Sequence, residues 1–309
     1  MITNSNSSKT PGEGNFLDVK KFIGVGSVNV LSINPDNKTL RKYGWSVPEN
    51  APEPNYVVTD SEGKKSARVR FLVQIQDMEE KPIVGMDYWI RPDVVFNRDN
   101  TKCKIIDSYG RTAYGTKVEV QAHKVPEYAN GPANISSDYK PCHVGEEELI
   151  SFLMKYLNIT PLQMWSKVEN KFVATKDPGK LTIDNWQKLC NGDVSELKQY
   201  ISLQPDNKVK VVFGVRTTDD NKSYQTFLST KYFGNGSIAD RNTGEYTAAR
   251  KAIDEFFKVR PNSPVSFSAA PIKEWSVSAT DVKENEDMPS SFSDTSFFTE
   301  QTDDLPFSD

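Results

Sequence analysis

The amino-acid sequence predicts an α+β, mainly β fold: a small barrel or sandwich with a helical insertion and disordered termini. Three observations predict it. Short segments rich in Val, Ile and aromatic residues alternate with turn signals through residues 16–276. Helical apolar spacing dominates only between about 145 and 204. Both ends of the chain are polar, with few apolar residues to bury. About seven short strands suit such a small β-domain.

The strand predictions depend on alternation and turn signals. Residues 22–33 are rich in Val and Ile and stop at Asn34-Pro35-Asp36. Residues 67–76 alternate, which predicts a half-buried strand with an open, cationic and amide-rich face. That face is expected to carry Arg68, Arg70, Leu72, Gln74 and Gln76. Further strands are expected at 83–96, 102–109, 114–123, 208–217, 223–233, 265–267 and 272–275, with loops over 44–66 and 125–144.

The helix predictions come from a change of period. Residues 146–158 begin with acidic residues and then place apolar residues at helical spacing. Shorter helices are expected at 182–189 and 194–203, inside the insertion. A last helix is expected at 243–259, because its aromatic and aliphatic residues share one helical face.

Charge is distributed unevenly along the chain, whose formal net charge is −4. Residues 276–309 carry nine acidic side chains and one lysine, a net charge of −8. Residues 1–275 carry 37 basic and 33 acidic side chains, a net charge of +4. We therefore divide the chain into a flexible arm at 1–15, a mildly basic body at 16–276 and an acidic tail at 277–309. The alternative is an ordinary solvated tail.

Several classes of protein are disfavoured. No apolar run is long enough to span a membrane and no signal peptide is visible, which favours a cytoplasmic location. Three scattered cysteines argue against a disulfide framework and for a reducing compartment. No phosphate-binding loop, nucleophile motif or metal-ligand spacing occurs. The sequence therefore predicts neither an enzyme nor a cofactor or metal.

Basic residues with interleaved aromatics are the main candidates for function, because single-stranded nucleic acid offers phosphates to cations and base faces to rings. One such group lies in residues 102–117 and comprises Lys102, Lys104, Tyr109, Arg111, Tyr114 and Lys117. The others are the two basic strand faces, Arg68 with Arg70 and Lys208 with Lys210 and Arg216. These two strands are expected to lie side by side and form a groove. The alternatives are core tyrosines and ordinary solvated sheet surface.

The end of the tail is a candidate protein-binding motif, formed by Asp303, Asp304, Leu305, Pro306 and Phe307. Its proline stiffens the backbone, its apolar side chains suit a small pocket, and its acids suit a basic rim. The motif resembles the acidic tip of bacterial single-stranded DNA-binding proteins, which ends in aspartates followed by Ile-Pro-Phe. Here Leu305 replaces the Ile, and Ser308 and Asp309 follow the Phe.

The body resembles the single-stranded DNA-binding proteins of tailed bacteriophages. The resemblance depends on FIGVGSVNVLSINP at 22–35, ARVRFLVQIQ at 67–76 and IIDSYGRTAYG at 105–115, and it covers about half the chain. It implies an oligonucleotide-binding (OB) fold that coats single-stranded DNA during replication, recombination and repair in the host cytoplasm. The tip is then expected to recruit replication and recombination proteins.

Two alternatives remain open at this point. One is a structural or scaffolding phage protein whose acidic tail docks an assembly partner. The other is a nucleic-acid enzyme whose acidic residues stand in no recognisable motif. Binding to a labelled oligo-dT separates the first alternative from a DNA-binding protein, and nuclease or polymerase activity with Mg²⁺ tests the second.

Overall fold

A computed structural model describes residues 20–276, except for 60–62, 108–109, 111, 117–139, 160–162, 175–180, 182, 184, 203–204, 220–221 and 234–245. The arm predicted at 1–15 and the tail predicted at 277–309 lie outside these residues. So do most of the strand predicted at 114–123 and of the loop predicted at 125–144.

The described residues are mainly β, with short helices between the strands. The strands are β1 (Phe22–Ile33), β2 (Val57–Thr59), β3 (Lys65–Ile75), β4 (Ile83–Ile90), β5 (Lys102–Ile106), β6 (Thr112–Thr116), β7 (Lys140–Pro141), β8 (Gln163–Ser166), β9 (Lys171–Ala174), β10 (Val209–Thr217), β11 (Ser223–Leu228), β12 (Val265–Phe267) and β13 (Lys273–Glu274). The helices are α1 (Asn37–Lys42), α2 (Glu146–Tyr156), α3 (Trp186–Cys190), α4 (Ser195–Ser202) and α5 (Thr247–Val259), with a 3-10 turn at Thr230–Phe233.

The main sheet is built around β1, which pairs antiparallel with β3 on one side and β10 on the other. β4 continues the sheet beyond β3, and β11 continues it beyond β10. Val28 is opposite Ile75 in β3 and Val209 in β10. A register shift between Val30 and Ser32 interrupts the β1–β3 ladder.

The inner face of this sheet forms the larger core with α2. The Phe152 ring of α2 lies 5.0 Å from Phe71 and 5.5 Å from Tyr88. Tyr88 of β4 also packs 5.0 Å from Phe227 of β11, so the two outer strands of the sheet approach each other. No hydrogen-bonded ladder joins β4 to β11 in the part of the chain that the structure describes. The mainly β, α+β prediction is confirmed, whereas the sheets are not closed into a barrel.

The outer face of the sheet is more covered than the alternation predicts. Val25, Val212 and Leu228 are buried there in a second apolar cluster with α5, which contributes Phe256. Leu72, placed on the open face of its strand by the alternation, is also fully buried. The prediction of an open face along β3 is therefore wrong at Leu72, and α5 covers part of the outer face of β10 at Val212.

The helical insertion predicted at 145–204 contains its expected helices, α2, α3 and α4, but also the antiparallel hairpin of β8 and β9. The sequence analysis also missed α1 and β2. Helix α1 has six residues, too few for an apolar period to show. Its N-cap is Asp36, whose carboxylate accepts a hydrogen bond of 2.7 Å from the Thr39 amide.

The strands predicted at 83–96 and 223–233 end earlier in the structure than in the sequence analysis. β4 ends at Ile90, just before Arg91-Pro92, since proline cannot donate to a ladder. Beyond it, Val94 and Phe96 make only isolated bridges. β11 ends at Leu228, and the chain then forms the 3-10 turn at Thr230–Phe233.

Candidate nucleic-acid interface

Two successive cross-strand pairs occupy the outer face of β3 and β4. Arg68 is directly opposite Trp89, and Arg70 is directly opposite Asp87. Side chains two residues apart share one face of a strand, so the four side chains form a single patch. We call these residues, together with Tyr56, the β3–β4 patch.

The Arg68 guanidinium lies between two aromatic rings of this patch. Its central carbon is 5.5 Å from the centre of the Tyr56 ring and 5.9 Å from that of Trp89. The rings flank β3, because Tyr56 immediately precedes β2 and Trp89 belongs to β4. Both distances are within the range of cation–π attraction. All three side chains are half-buried, so each keeps part of its surface accessible to solvent.

Tyr56 is held in place by its hydroxyl group, which donates a 2.7 Å hydrogen bond to the Pro35 carbonyl. Burial raises the pKa of Tyr56 to about 12, so the phenol stays protonated at neutral pH. The ring is thereby fixed by a neutral donor and presents no negative charge to a phosphate.

Arg70 and Asp87 form a two-bond ion pair. The Nε and Nη2 atoms of Arg70 donate to the two carboxylate oxygens of Asp87 at 2.6 and 2.5 Å. Burial acts to lower the pKa of Arg70, but the Asp87 carboxylate outweighs it and the pKa is raised. The side chains are 11% and 27% exposed, so the charge of Arg70 is largely balanced inside the patch.

The backbone of Trp89 packs closely against Gly145, the residue that precedes α2. Gly145 has a φ of +82°, and a Cβ atom there would lie only 2.1 Å from the Trp89 carbonyl oxygen. Arg91, just after the end of β4, donates its amide to the Val144 carbonyl, and its own carbonyl accepts a 2.9 Å hydrogen bond from the Trp186 indole. Only glycine fits this approach, which holds the end of β4 in place.

Lys104 and Tyr114 lie together in the sheet of β5, β6 and β7, in a different environment. The Lys104 side chain is only 8% exposed and forms a 2.6 Å ion pair with Glu147 of α2. Its ammonium group is 5.9 Å from the centre of the Tyr114 ring, and Thr112 donates to the same carboxylate. This lysine therefore helps to anchor the first turn of α2.

The rest of that predicted group is only partly visible. Lys102 is exposed at the start of β5. Tyr109, Arg111 and Lys117 lie outside the described residues, as do the tip residues Asp303, Asp304, Leu305, Pro306 and Phe307.

The basic residues in and just before β10 are spread along the length of the strand. Lys210 hydrogen-bonds Ser27, lies 3.6 Å from the Asp77 carboxylate and is 5.6 Å from the centre of the Tyr246 ring. Lys208 is exposed immediately before β10. Near the other end of the strand, Arg216 is opposite Tyr224, which is 47% exposed.

The two basic strand faces are staggered along β1. Lys210 is opposite Ser27, whose carbonyl accepts a hydrogen bond from the Gln76 amide of the chain that follows β3. Lys210 is therefore level with Gln76, six residues or about 20 Å along the strand from Arg70. The structure places the two sets of cations along a line that follows β1, rather than side by side.

Sequence reasoning missed the two aromatic residues of the β3–β4 patch. Trp89 shares a strand face with Asp87 and Gly85, between the apolar residues Met86, Tyr88 and Ile90, a signal that was available in the sequence. Tyr56 follows a proline-rich loop and carries no periodic signal, since only the packing of the loop brings it to Arg68.

No family model, curated protein or solved structure matches the chain. Among the described residues, no helix is long and apolar enough to cross a membrane.

The three cysteines are buried free thiols. Burial raises the pKa of Cys190 to about 12 and that of Cys142 further, so neither is a thiolate at neutral pH.

Proposed function

We propose that the chain is a non-enzymatic single-stranded DNA-binding protein that coats and protects DNA in phage replication, recombination and repair. The observation that supports this most directly is the arginine between two aromatic rings, Arg68 with Tyr56 and Trp89. Flat rings offer stacking surfaces to bases, and the guanidinium offers positive charge to the adjoining phosphate. Duplex DNA hides its base faces, so this patch favours single strands.

The strand path supports an OB-like assignment. Five antiparallel strands pair in the spatial order β4-β3-β1-β10-β11. The two strands at the ends of this order, β4 and β11, approach each other through Tyr88 and Phe227. OB folds are partly open five-stranded barrels that bind oligonucleotides on their second and third strands and adjacent loops. In chain order the second and third of these five strands are β3 and β4, and the loop that ends just before β2 contributes Tyr56.

The charge distribution supports a role for the tail. The last described residues lie beside the first: Glu274 pairs with Lys20 at 2.9 Å, and Trp275 donates its amide to Lys21. We propose that the tail, with net charge −8, competes with DNA for the basic body and that its tip recruits replication and recombination proteins.

The experiment that tests the proposed function is a titration of fluorescent oligo-dT and of a matched duplex across a salt series. We expect tight binding to the single strand and much weaker binding to the duplex. The logarithm of the affinity should fall linearly with the logarithm of salt concentration, with a slope of about −0.7 per phosphate contacted. Binding that ignores salt or prefers duplex would overturn the proposal. A scaffolding protein would bind neither, and cleavage or extension of the oligonucleotide with Mg²⁺ would indicate an enzyme.

A further inference from the structure

Asp87 is an acidic residue in the β3–β4 patch, which is otherwise suited to a polyanion. It lies between the aromatic residue Trp89 and the β4 glycine Gly85, on the same face of the strand. A carboxylate repels phosphates, so its place beside Arg68 needs a different explanation from phosphate binding. A carboxylate is also the side chain that accepts hydrogen bonds from exocyclic amino groups of bases.

The orientation of this carboxylate is fixed. Arg70 donates to both oxygens of Asp87 at 2.6 and 2.5 Å, and two bonds to one guanidinium fix the orientation of the carboxylate. An ionised carboxylate has about four acceptor positions, and the two bonds to Arg70 use one on each oxygen. Asp87 is 27% exposed, so an approaching donor can reach the remaining positions.

The distance from the stacking surface suits a base. Asp87 and Trp89 are two residues apart on one strand face, about 7 Å along the strand. A base stacked on the indole therefore directs one edge toward the carboxylate. Cytosine carries an amino group on that kind of edge, whereas thymine carries a carbonyl oxygen.

We propose that Asp87, oriented by Arg70, is a specificity-determining residue that accepts a hydrogen bond from the exocyclic amino group of a base stacked on Trp89. The site then favours amino-bearing bases over thymine at one position of the bound strand. This inference rests on the proposed function, since it assumes that single-stranded nucleic acid occupies the β3–β4 patch. Arg70 acts through Asp87 and is a positioning residue.

The test compares oligo-dC with oligo-dT of equal length at constant salt and pH 7.5. We expect the wild-type chain to bind oligo-dC roughly three- to tenfold more tightly than oligo-dT. This is the change in affinity expected from one hydrogen bond that is partly exposed to solvent. Asp87→Asn replaces an acceptor by an amide that also donates, so the preference should vanish or reverse toward thymine. Asp93→Asn is the matched control: Asp93 also faces an arginine, Arg91 at 3.7 Å, but lies beyond the end of β4.

A second measurement needs no variant and covers the case that Asp87→Asn fails to fold. An oligonucleotide with 2-pyrimidinone in place of cytosine lacks only the amino group, and the wild-type chain should bind it as weakly as oligo-dT. Equal affinity for oligo-dC and oligo-dT, or a preference that survives loss of the amino group, would overturn this inference alone. Absence of binding to every oligonucleotide would overturn the proposed function and the inference with it.

Discussion

Arg68 and Trp89 lie directly opposite each other across β3 and β4, with the guanidinium carbon 5.9 Å from the centre of the indole ring. A cation and a stacking surface thus meet at one point of one sheet face. A single nucleotide also presents a negative phosphate and a flat base close to each other. In the proposed function, this pair contacts one nucleotide of the bound strand.

Replacing Trp89 by alanine should weaken binding of oligo-dT by roughly 5- to 150-fold, because a stacked base contributes about 1–3 kcal/mol. Trp89→Phe keeps a flat ring and should recover most of the affinity. Tyr114→Ala is the comparison, since Tyr114 lies beside the buried Lys104–Glu147 pair and not in the β3–β4 patch. Full retention of oligo-dT affinity by Trp89→Ala, with an unchanged melting temperature, would place the DNA elsewhere.

Arg68 and Arg70 should respond differently to truncation, although they share one strand face. Arg68→Ala should lower the affinity for all sequences, with little change in melting temperature. It should also make the slope of log affinity against log salt concentration less steep by about 0.7. Arg70→Ala leaves the Asp87 carboxylate without its partner, so it should cost about 3 kcal/mol of folding stability. Chemical denaturation and salt-dependent titration of each variant separate the two effects. The Arg70→Ala, Asp87→Ala double variant should be more stable than Arg70→Ala alone. If it is not, the unpaired carboxylate is not the cause of the stability loss in Arg70→Ala.

Deleting residues 277–309 should strengthen binding of oligo-dT at low salt, roughly two- to tenfold, because a tethered anion is present at near-millimolar effective concentration. The gap between full-length and truncated chains should shrink as salt rises, since screening weakens both competitors. A chain whose tail has the same composition in scrambled order is the control and should bind like the full-length protein. Identical affinities of the truncated and full-length chains at low salt would leave the tail without a competitive role.

Phe307→Ala should abolish recruitment of replication and recombination proteins and leave oligo-dT affinity unchanged, because the side chain is apolar and uncharged. Phe292→Ala, in the same tail but outside the motif, is the matched control and should retain recruitment. Pull-downs from infected cells, compared between the two variants, make the measurement. Equal recovery of partners by both variants would exclude Phe307 as the anchor.

Lys155 should make folding stability depend on pH. Its ammonium group donates to the Thr230 carbonyl, and burial lowers its pKa from 10.5 to about 8. Between those values the unfolded chain binds more protons than the folded one, so stability rises with pH. Relative to Lys155→Met, the wild-type chain should gain about 2–3 kcal/mol between pH 7 and pH 10 in urea unfolding. A difference that stays constant over this range would show that the amine is not desolvated.

The sequence by itself determined the mainly β character and most of the strands. Alternation over residues 67–76 and 208–217 predicted β3 and β10, and the Asn34-Pro35-Asp36 turn marked the end of β1. These signals are local, because the side chains of a strand alternate between its faces whatever packs against them. Short elements such as α1 carry too few residues for any period, so they escaped detection.

Only the tertiary structure decided which cations face solvent and which rings accompany them. Lys104 and Arg70 looked alike in the sequence, yet the structure pairs them with Glu147 and Asp87. The ring beside Arg68 belongs to Trp89, 21 positions later, and α5 covers part of the outer face from the end of the body. Such contacts depend on the register between segments far apart in the chain. A one-residue change of register moves every side chain to the other face, and no local pattern records that choice.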